Sequence, residues 1–354
     1  MASLFDPIKI REVIFSNRIW VSPMCQYSAE DGVATNWHDV HIGSFATGGA
    51  GMIMMEASGV VAEGRISTKC LGLWNEEQSE RLKPIVDFAH SMGTKIGIQL
   101  AHAGRKASCL PPWSDHPMAS KEEGGWECVA PSAISFGGKY PVPRALTSVE
   151  IKELIESFAR AAKLAVAAGF DLVEIHAAHG YLIHQFLSPI SNKRDDEYGG
   201  SFENRTRFIL EIARAVRGAI PVSMPLFTRI SASDWLEDDW TIEESVQLSR
   251  LLKVAGVDLI DVSSGGTSSG APVPVGPGYQ VPFATKIREE AEIPTCAVGL
   301  ITEANQADEI VRSGKADAVM MAREFLRNPR WPLQAAQELK AEVSWPVQLI
   351  RGKS

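Results

Sequence analysis

Gly169-Phe170-Asp171-Leu172-Val173-Glu174-Ile175-His176-Ala177-Ala178-His179-Gly180-Tyr181 joins a strand to a reactive turn in one piece. The apolar run from Phe170 to Ile175 reads as a parallel strand buried on both faces. It places two imidazoles and a phenol just past a strand's carboxyl end, the face on which α/β barrels carry their chemistry. Two neutral imidazoles can offer N–H groups to one substrate oxygen, and a phenol can deliver a proton beside them. This is equipment for gripping and polarising a carbonyl or nitro group. The competing reading of His176 and His179 is as satisfied core or loop histidines, and the rest of the chain must decide between the two.

Seven further β-rich runs share this character. The full set is 19–22, 52–56, 96–100, 172–175, 222–227, 259–262, 295–298 and 318–321. Helical periodicity fills the gaps, as at 151–168, 205–217, 242–255 and 304–313. The same punctuation precedes three strands: Ala168-Gly169-Phe170-Asp171, Ala255-Gly256-Val257-Asp258 and Ser313-Gly314-Lys315-Ala316-Asp317. Glycine ends each helix in a left-handed cap and the strand follows at once. Eight such units predict a (β/α)₈ barrel, a TIM barrel, rather than an open doubly wound sheet. No Gly-x-Gly-x-x-Gly turn follows an early strand, as an open dinucleotide-binding sheet would show. Residues 8–18 alternate like a short hairpin able to cap the barrel bottom, and residues 101–147 form a long Pro-, Gly-, Ser- and Trp-rich insertion after the third strand. Such an insertion on the catalytic side builds a lid or rim. No linker divides the chain, so residues 1–354 are expected to form one domain.

Composition narrows the function classes. Hydrophobic residues make up 45%, and no run approaches the ~20 apolar residues of a membrane helix. The start, Met1-Ala2-Ser3-Leu4-Phe5-Asp6-Pro7, has neither the basic nor the apolar region of a secretory signal. The cysteines at 25, 70, 109, 128 and 296 form no C-x-x-C and no metal spacing, which predicts unpaired thiols and a cytoplasmic location. A net charge of −8 argues against nucleic acid or an anionic membrane as partner, while leaving room for a local basic phosphate pocket.

The strand ends share a theme. They read Ser22-Pro23-Met24-Cys25-Gln26-Tyr27, Glu56-Ala57, Gln99 to Lys106, Thr228-Arg229, Ala297-Val298-Gly299 and Met321-Ala322-Arg323. Ala57, Gly299 and Ala322 leave room for a flat ligand. Gln99 both donates and accepts, as the edge of a heteroaromatic ring requires, and Arg229 can stabilise negative charge on such a ring. Gly299 and Arg323, after the last two strands, match the usual barrel phosphate site. Taken singly, Arg323 could pair with a carboxylate, Gln99 could line a loop and Gly299 could serve a turn. Together they favour a planar phosphorylated cofactor. Cys25 is either a small buried hydrophobe or a thiol facing a redox cofactor.

These residues resemble the old yellow enzyme family of flavin-dependent ene-reductases, and most of all its second, bacterial-type class. The marks run along nearly the whole chain: Asn17-Arg18, Ser22 to Tyr27, Gln99 to Lys106, His176 to Tyr181, Asn192 to Arg205, Gly278-Tyr279-Gln280, Ala297 to Thr302 and Ala322-Arg323. The resemblance implies noncovalently bound FMN and NADPH as reductant. It puts Ser22, Pro23, Met24 and Cys25 along the flavin, with Ala57, Gln99 and Arg229 at its ring system and Gly299, Ala322 and Arg323 at its phosphate. His176 and His179 then grip the substrate oxygen, Tyr27 contacts substrate and Tyr181 is the proton donor. The run Asn192 to Arg205 is read as structural, with Asn204-Arg205 opening a helix. Many relatives carry Gly-Arg where Ala322-Arg323 stands. The tail Pro346 to Gly352 resembles one that sends an arginine finger into a neighbouring subunit's site, which implies a homodimer or homotetramer and a substrate-binding role for Arg351. Relatives usually have an aromatic residue where Leu349 stands.

The implied activity is reduction of the activated C=C bond of α,β-unsaturated carbonyl or nitro compounds, a chemistry suited to xenobiotic detoxification. Hydride goes to Cβ and a proton to Cα. Three other readings compete. A 2,4-dienoyl-CoA reductase-type relative needs a cysteine cluster that this chain lacks. A non-redox barrel lyase or isomerase would use Lys106 and the histidines on a phosphorylated substrate. A flavin-binding sensor without turnover would not need both histidines and Tyr181.

Overall fold

The computed structural model describes residues 2–237 and 239–353. Met1, Asp238 and Ser354, at the ends and at one internal position of the expected domain, lie outside the described residues. Among the described residues eight parallel strands close into a barrel: Ile19–Val21, Met52–Gly59, Lys95–Ala101, Leu172–Ala177, Leu226–Ser231, Leu259–Ser263, Thr295–Ala297 and Ala318–Met321. Neighbours in space are neighbours in sequence, and the eighth strand closes on the first through Val319–Ile19 and Met321–Val21. This is the (β/α)₈ arrangement the sequence predicts.

The helices form for reasons visible in the chain. Thr147 and Glu150 make a capping box ahead of Ser148–Ala168. Ile151, Leu154, Phe158, Ala161, Ala162 and Ala165 then recur on one face of that helix and are buried. Gly169 ends it at φ 92°, and Gly256 (φ 97°) and Gly314 (φ 74°) do the same before their strands. The helix expected from residue 205 opens one turn earlier, at Phe202, because Ser201 accepts the Asn204 N–H as its N-cap.

One expected strand was misplaced. The run 222–227 does not begin a strand at Val222, which is 80% exposed. Pro221 and Pro225 enclose a turn, closed by the Met224 N–H to the Pro221 carbonyl, and the strand starts at Leu226. It runs on to Ser231, so Arg229 stands inside the barrel wall rather than beyond it. The second strand likewise continues to Gly59, with a register shift between Met55 and Ala57 that pairs Ala57 with Gln99.

The N-terminal hairpin pairs Ile8–Ile10 antiparallel with Val13–Phe15 and closes the barrel floor. Phe15 lies 5.0 Å from Trp20, and Trp20 stacks on Phe227 at 5.8 Å. Met52, Leu172, Leu259, Cys296 and Met320 complete this buried layer. The insertion after the third strand contributes the 3₁₀ turn Gly104–Lys106 and the two-residue strands Val129–Ala130 and Arg144–Ala145. It is pinned over the opposite end by buried Arg105, which donates to the Thr267 carbonyl at 2.8 Å and to that of Ile134 at 3.3 Å. Among the described residues no helix is long and apolar enough to cross a membrane. Phe15→Ala should lower the unfolding free energy by about 3–5 kcal/mol in a urea titration, because the floor cannot collapse around the lost ring. A loss below about 1 kcal/mol would show that the hairpin does not carry the floor.

Candidate active site

Alternation along the strands raises a polar layer above the apolar floor. Leu172, Phe227 and Leu259 belong to the floor. Two residues further on, the same interior face carries Glu174, Arg229 and Asp261, with Gln99 beside them on strand three. All four are buried. The Gln99 amide donates to Glu174 Oε1 at 2.8 Å. The Arg229 guanidinium donates to Ser22 Oγ at 3.1 Å, and its Nε lies 3.1 Å from Asp261 Oδ2. Burial and the neighbouring Asp261 push the Glu174 carboxyl up to about 8, against the pull of Arg229.

Another two-residue step brings His176, Ser231 and Ser263 to the barrel mouth. The chain then turns sharply through His179 (φ 59°) and Gly180 (φ 71°). A side chain at Gly180 would put its Cβ 2.1 Å from the Gly266 carbonyl oxygen, so only glycine fits. The turn is braced from several sides. Ser231 Oγ accepts the His179 N–H at 2.9 Å. Lys106 Nζ donates to the His179 carbonyl at 2.8 Å and lies 5.0 Å from the Tyr181 ring centre. His184 Nδ1 accepts the Gly180 N–H at 2.8 Å, so its other nitrogen carries the proton that faces Asp234 Oδ1 at 3.1 Å.

These braces gather three rings. His176 lies 5.2 Å from His179 and 5.1 Å from Tyr181, centre to centre and edge to face in both pairs. Burial first, and the Arg229 charge second, hold both imidazoles well below their ordinary pKa. Burial pushes the Tyr181 phenol well above its own. At neutral pH the cluster is therefore two uncharged imidazoles beside a protonated phenol. The His179 tautomer follows from its neighbours. Gln280 donates from Nε2 to the Val298 carbonyl, so its Oε1 accepts the Ser263 and Ser264 hydroxyls. Ser263 Oγ then accepts from His179 Nε2 at 2.7 Å, which puts the proton on Nε2. His176 Nδ1 is buried and has no hydrogen-bond partner among the described residues.

The expected cofactor residues collect around this cluster. A cavity of about 180 Å³ is lined by Arg229, Gly299, Ala322 and Arg323, with Ser263 and Gln280 on its wall. Gly299 has φ 121°, and a Cβ there would come within 3.1 Å of Gln280 Nε2 and the Tyr279 ring. Among the described residues no ion pair engages Arg323, since the adjacent Glu324 turns to Arg327 at 2.5 Å. An unpaired cation beside a bare backbone suits the phosphate of FMN. Ser22 to Tyr27 follow the first strand directly. Cys25 and Tyr27 are half-buried, and Tyr27 (φ 52°) sets its edge against Trp113 at 5.7 Å. Arg351 lies apart, exposed in the 3₁₀ turn Val347–Gly352. Asn192, in the run read as structural, is buried and donates to the Phe186 and Tyr198 carbonyls at 2.7 and 2.8 Å.

Several site residues were given no role from sequence: Glu174, Asp261, Ser263 and the His184–Asp234 pair, while Gln280 stood only as part of a family mark and Lys106 only as a possible nucleophile. A signal existed for the first three. Each is a polar residue inside a strand otherwise apolar, in phase with an inward-facing neighbour.

Linkage supplies a test of the imidazole assignment. A histidine with a depressed folded pKa contributes stability that is complete above its unfolded value near 6.5 and is lost as pH falls toward the folded value. His176→Gln should therefore flatten the fall in unfolding free energy below about pH 6.5 by up to ~1.4 kcal/mol per pH unit. An unchanged slope in denaturant titrations would mean that His176 is not held neutral.

The sequence profile described as the NADH:flavin oxidoreductase / NADH oxidase family matches residues 3–342. The chain is 50% identical over 351 residues to an NADPH dehydrogenase of Geobacillus sp. (strain WCH70), covering 99% of this chain and 98% of the relative. The old yellow enzyme homologue from Zymomonas mobilis superposes with a TM-score of 0.79 at 29% identity, over 98% of this chain and 95% of that one. A 2-naphthoyl-CoA reductase superposes with a TM-score of 0.88 at 27% identity over 95% of this chain, which spans about half (52%) of that protein's length.

Proposed function

Since the chain belongs to the NADH:flavin oxidoreductase / NADH oxidase family and is an oxidoreductase of the old yellow enzyme type that uses FMN and NAD(P)H, we propose that it is an ene-reductase. Its substrates are α,β-unsaturated carbonyl or nitro compounds, reduced at the activated C=C bond with NADPH as the donor. The observation that carries this reading is the ring cluster: two neutral imidazoles and a protonated phenol, held together on one braced turn.

FMN, when bound, would supply the hydride chemistry that links NADPH oxidation to reduction at the substrate Cβ. The protein's part is positioning and charge. Gln99, Ala57 and Arg229 are assigned to the flavin ring, Ser22 to Cys25 along it, and Gly299, Ala322 and Arg323 to its phosphate. His176 and His179 donate N–H groups to the substrate oxygen, with His179 Nε2 exchanging its Ser263 partner for substrate. These bonds strengthen as enolate or nitronate charge builds on that oxygen, so they act on the transition state more than on the bound substrate. Tyr181 passes its proton to Cα and recovers one from solvent. Tyr27 shapes the substrate face. Lys106, the nucleophile that a lyase reading would need, is bound to two carbonyls at 2.8 and 3.2 Å and serves the turn instead. Arg351 is assigned to a neighbouring subunit's site in a homodimer or homotetramer, and the role to cytoplasmic detoxification of electrophilic alkenes.

An anaerobic spectrum tests the class. Yellow absorbance should bleach with NADPH and return with cyclohexenone. In stopped-flow traces His176→Ala and His179→Ala should keep FMN and lose roughly 10²–10³ in the rate of reoxidation by enone. Tyr181→Phe should slow that half-reaction and leave reduction by NADPH unchanged. Enone turnover unaffected in both histidine variants would remove them from the mechanism.

A further inference from the structure

Cys25, assigned along the flavin, meets two further donors beside the reaction cluster, Cys70 and Glu56, that have no role in this chemistry. Cys25 follows the first barrel strand and Cys70 lies in the loop after the second. The two thiol sulfurs and a carboxylate oxygen of Glu56 all lie within 4.8 Å of one another. In a tetrahedral zinc site with Zn–S near 2.3 Å, two sulfurs stand about 3.8 Å apart. The donors are thus already gathered to within about an ångström of that geometry.

The surroundings are those of a built site. Cys70 and Glu56 are fully or almost fully buried, while Cys25 is half-buried and forms the open side. Glu56 is oriented from two directions. The Gln26 N–H donates to its Oε2 at 3.1 Å, and His38 Nε2 stands 3.3 Å from its Oε1. His38 Nδ1 accepts the Thr35 N–H at 3.0 Å, so Nε2 bears a proton, and that buried nitrogen makes no well-formed hydrogen bond among the described residues. A histidine steering a ligating carboxylate is a common outer partner at metal centres. Ser67 Oγ lies 3.3 Å from the Cys70 sulfur and steadies it. The two thiols share a hydrogen bond that draws the Cys70 thiol below its usual pKa and pushes Cys25 above. Cys25 follows the first strand two residues before Tyr27, the residue assigned to the substrate face, so the group borders the substrate region.

We propose that Cys25, Cys70 and Glu56 form a binding site for a thiophilic divalent cation such as Zn²⁺ or Cd²⁺, whose occupation blocks turnover. Two thiolates and one carboxylate select soft over hard cations, so Mg²⁺ and Ca²⁺ are not ligands. The fourth position stays open on the Cys25 side, as in three-ligand zinc sites. Binding removes the protons of both thiols and fixes Cys25 in the mouth of the reaction site. The binding stands independently of the ene-reductase reading; only the loss of turnover rests on it.

Anaerobic titration of the FMN-loaded, pre-reduced and desalted protein with Cd²⁺ tests the site. One ion per chain should bind, with thiolate-to-cadmium absorption in the ultraviolet, release of about two protons and protection of two thiols from alkylation. Zn²⁺ should inhibit NADPH-driven enone reduction with the same stoichiometry. Cys70→Ser should abolish the absorption band and the Zn²⁺ sensitivity while turnover continues. Glu56→Gln should keep the band and weaken binding by more than the roughly 10- to 100-fold seen when only an outer partner of a metal site is lost. Unchanged Cd²⁺ binding in Cys70→Ser, or unchanged affinity in Glu56→Gln, overturns the three-ligand site. So does loss of both free thiols without a bound ion, which would mark a Cys25–Cys70 disulfide instead. Saturable binding without inhibition would keep the site and refute its effect on turnover.

Discussion

Arg229 stands in the middle of the barrel, its guanidinium between the Ser22 hydroxyl and the Asp261 carboxylate and only 6% of its surface exposed. A buried cation survives only with partners, and removing one of them would leave an uncompensated charge. The polar layer of Gln99, Glu174 and Asp261 therefore has to be in place for Arg229 to be there. Above that layer, the same positive charge joins burial in keeping His176 and His179 uncharged. The reaction cluster is thus a consequence of the layer beneath it. Neutral imidazoles are the state in which a donor can answer charge growing on a substrate oxygen instead of meeting it already satisfied.

Geometry depends on the turn as much as on charge. Two successive left-handed residues, His179 and Gly180, reverse the chain within hydrogen-bond reach of three segments and in close backbone contact with a fourth. Ser231 comes from strand five, Lys106 from the insertion, His184 from the helix Leu182–Leu187 and Gly266 from the loop after strand six. No single contact sets the ring positions, so the rings are held by the closed barrel as a whole. This explains why an insertion as irregular as residues 101–147 is pinned at Arg105, next to Lys106, by three carbonyls drawn from two loops.

The barrel was legible because its signals are local. Continuous apolar runs, the Ala-Gly and Ser-Gly helix stops and the hairpin pattern at residues 8–18 each decide their own segment. The first turn of strand five was not, because Val222 and Met224 look like strand residues and only the proline pair around them opposes that reading. The same error moved Arg229 from inside the wall to beyond it. In the site, Arg229, Gly299, Ala322 and Arg323 line one cavity, and His176, His179 and Tyr181 form one ring cluster. The partners that set their protonation do not announce themselves. Ser263 fixes the His179 tautomer and Asp261 holds Arg229 across strand pairings that no short motif contains. Cys70 meets Cys25 across a helix, a strand and their loops, a proximity the 45-residue spacing conceals.

The central claim is that burial above a buried cation keeps the imidazole pair neutral, with the His179 proton on Nε2. Nitrogen-15 chemical shifts of the histidine rings in the FMN-loaded protein test it most directly, recorded at about pH 5.5, a full unit below the ordinary histidine pKa. The account predicts neutral-ring shifts for His176 and His179, with the Nε2–H pattern at His179. Imidazolium shifts at either position, or an Nδ1–H pattern at His179, would contradict it.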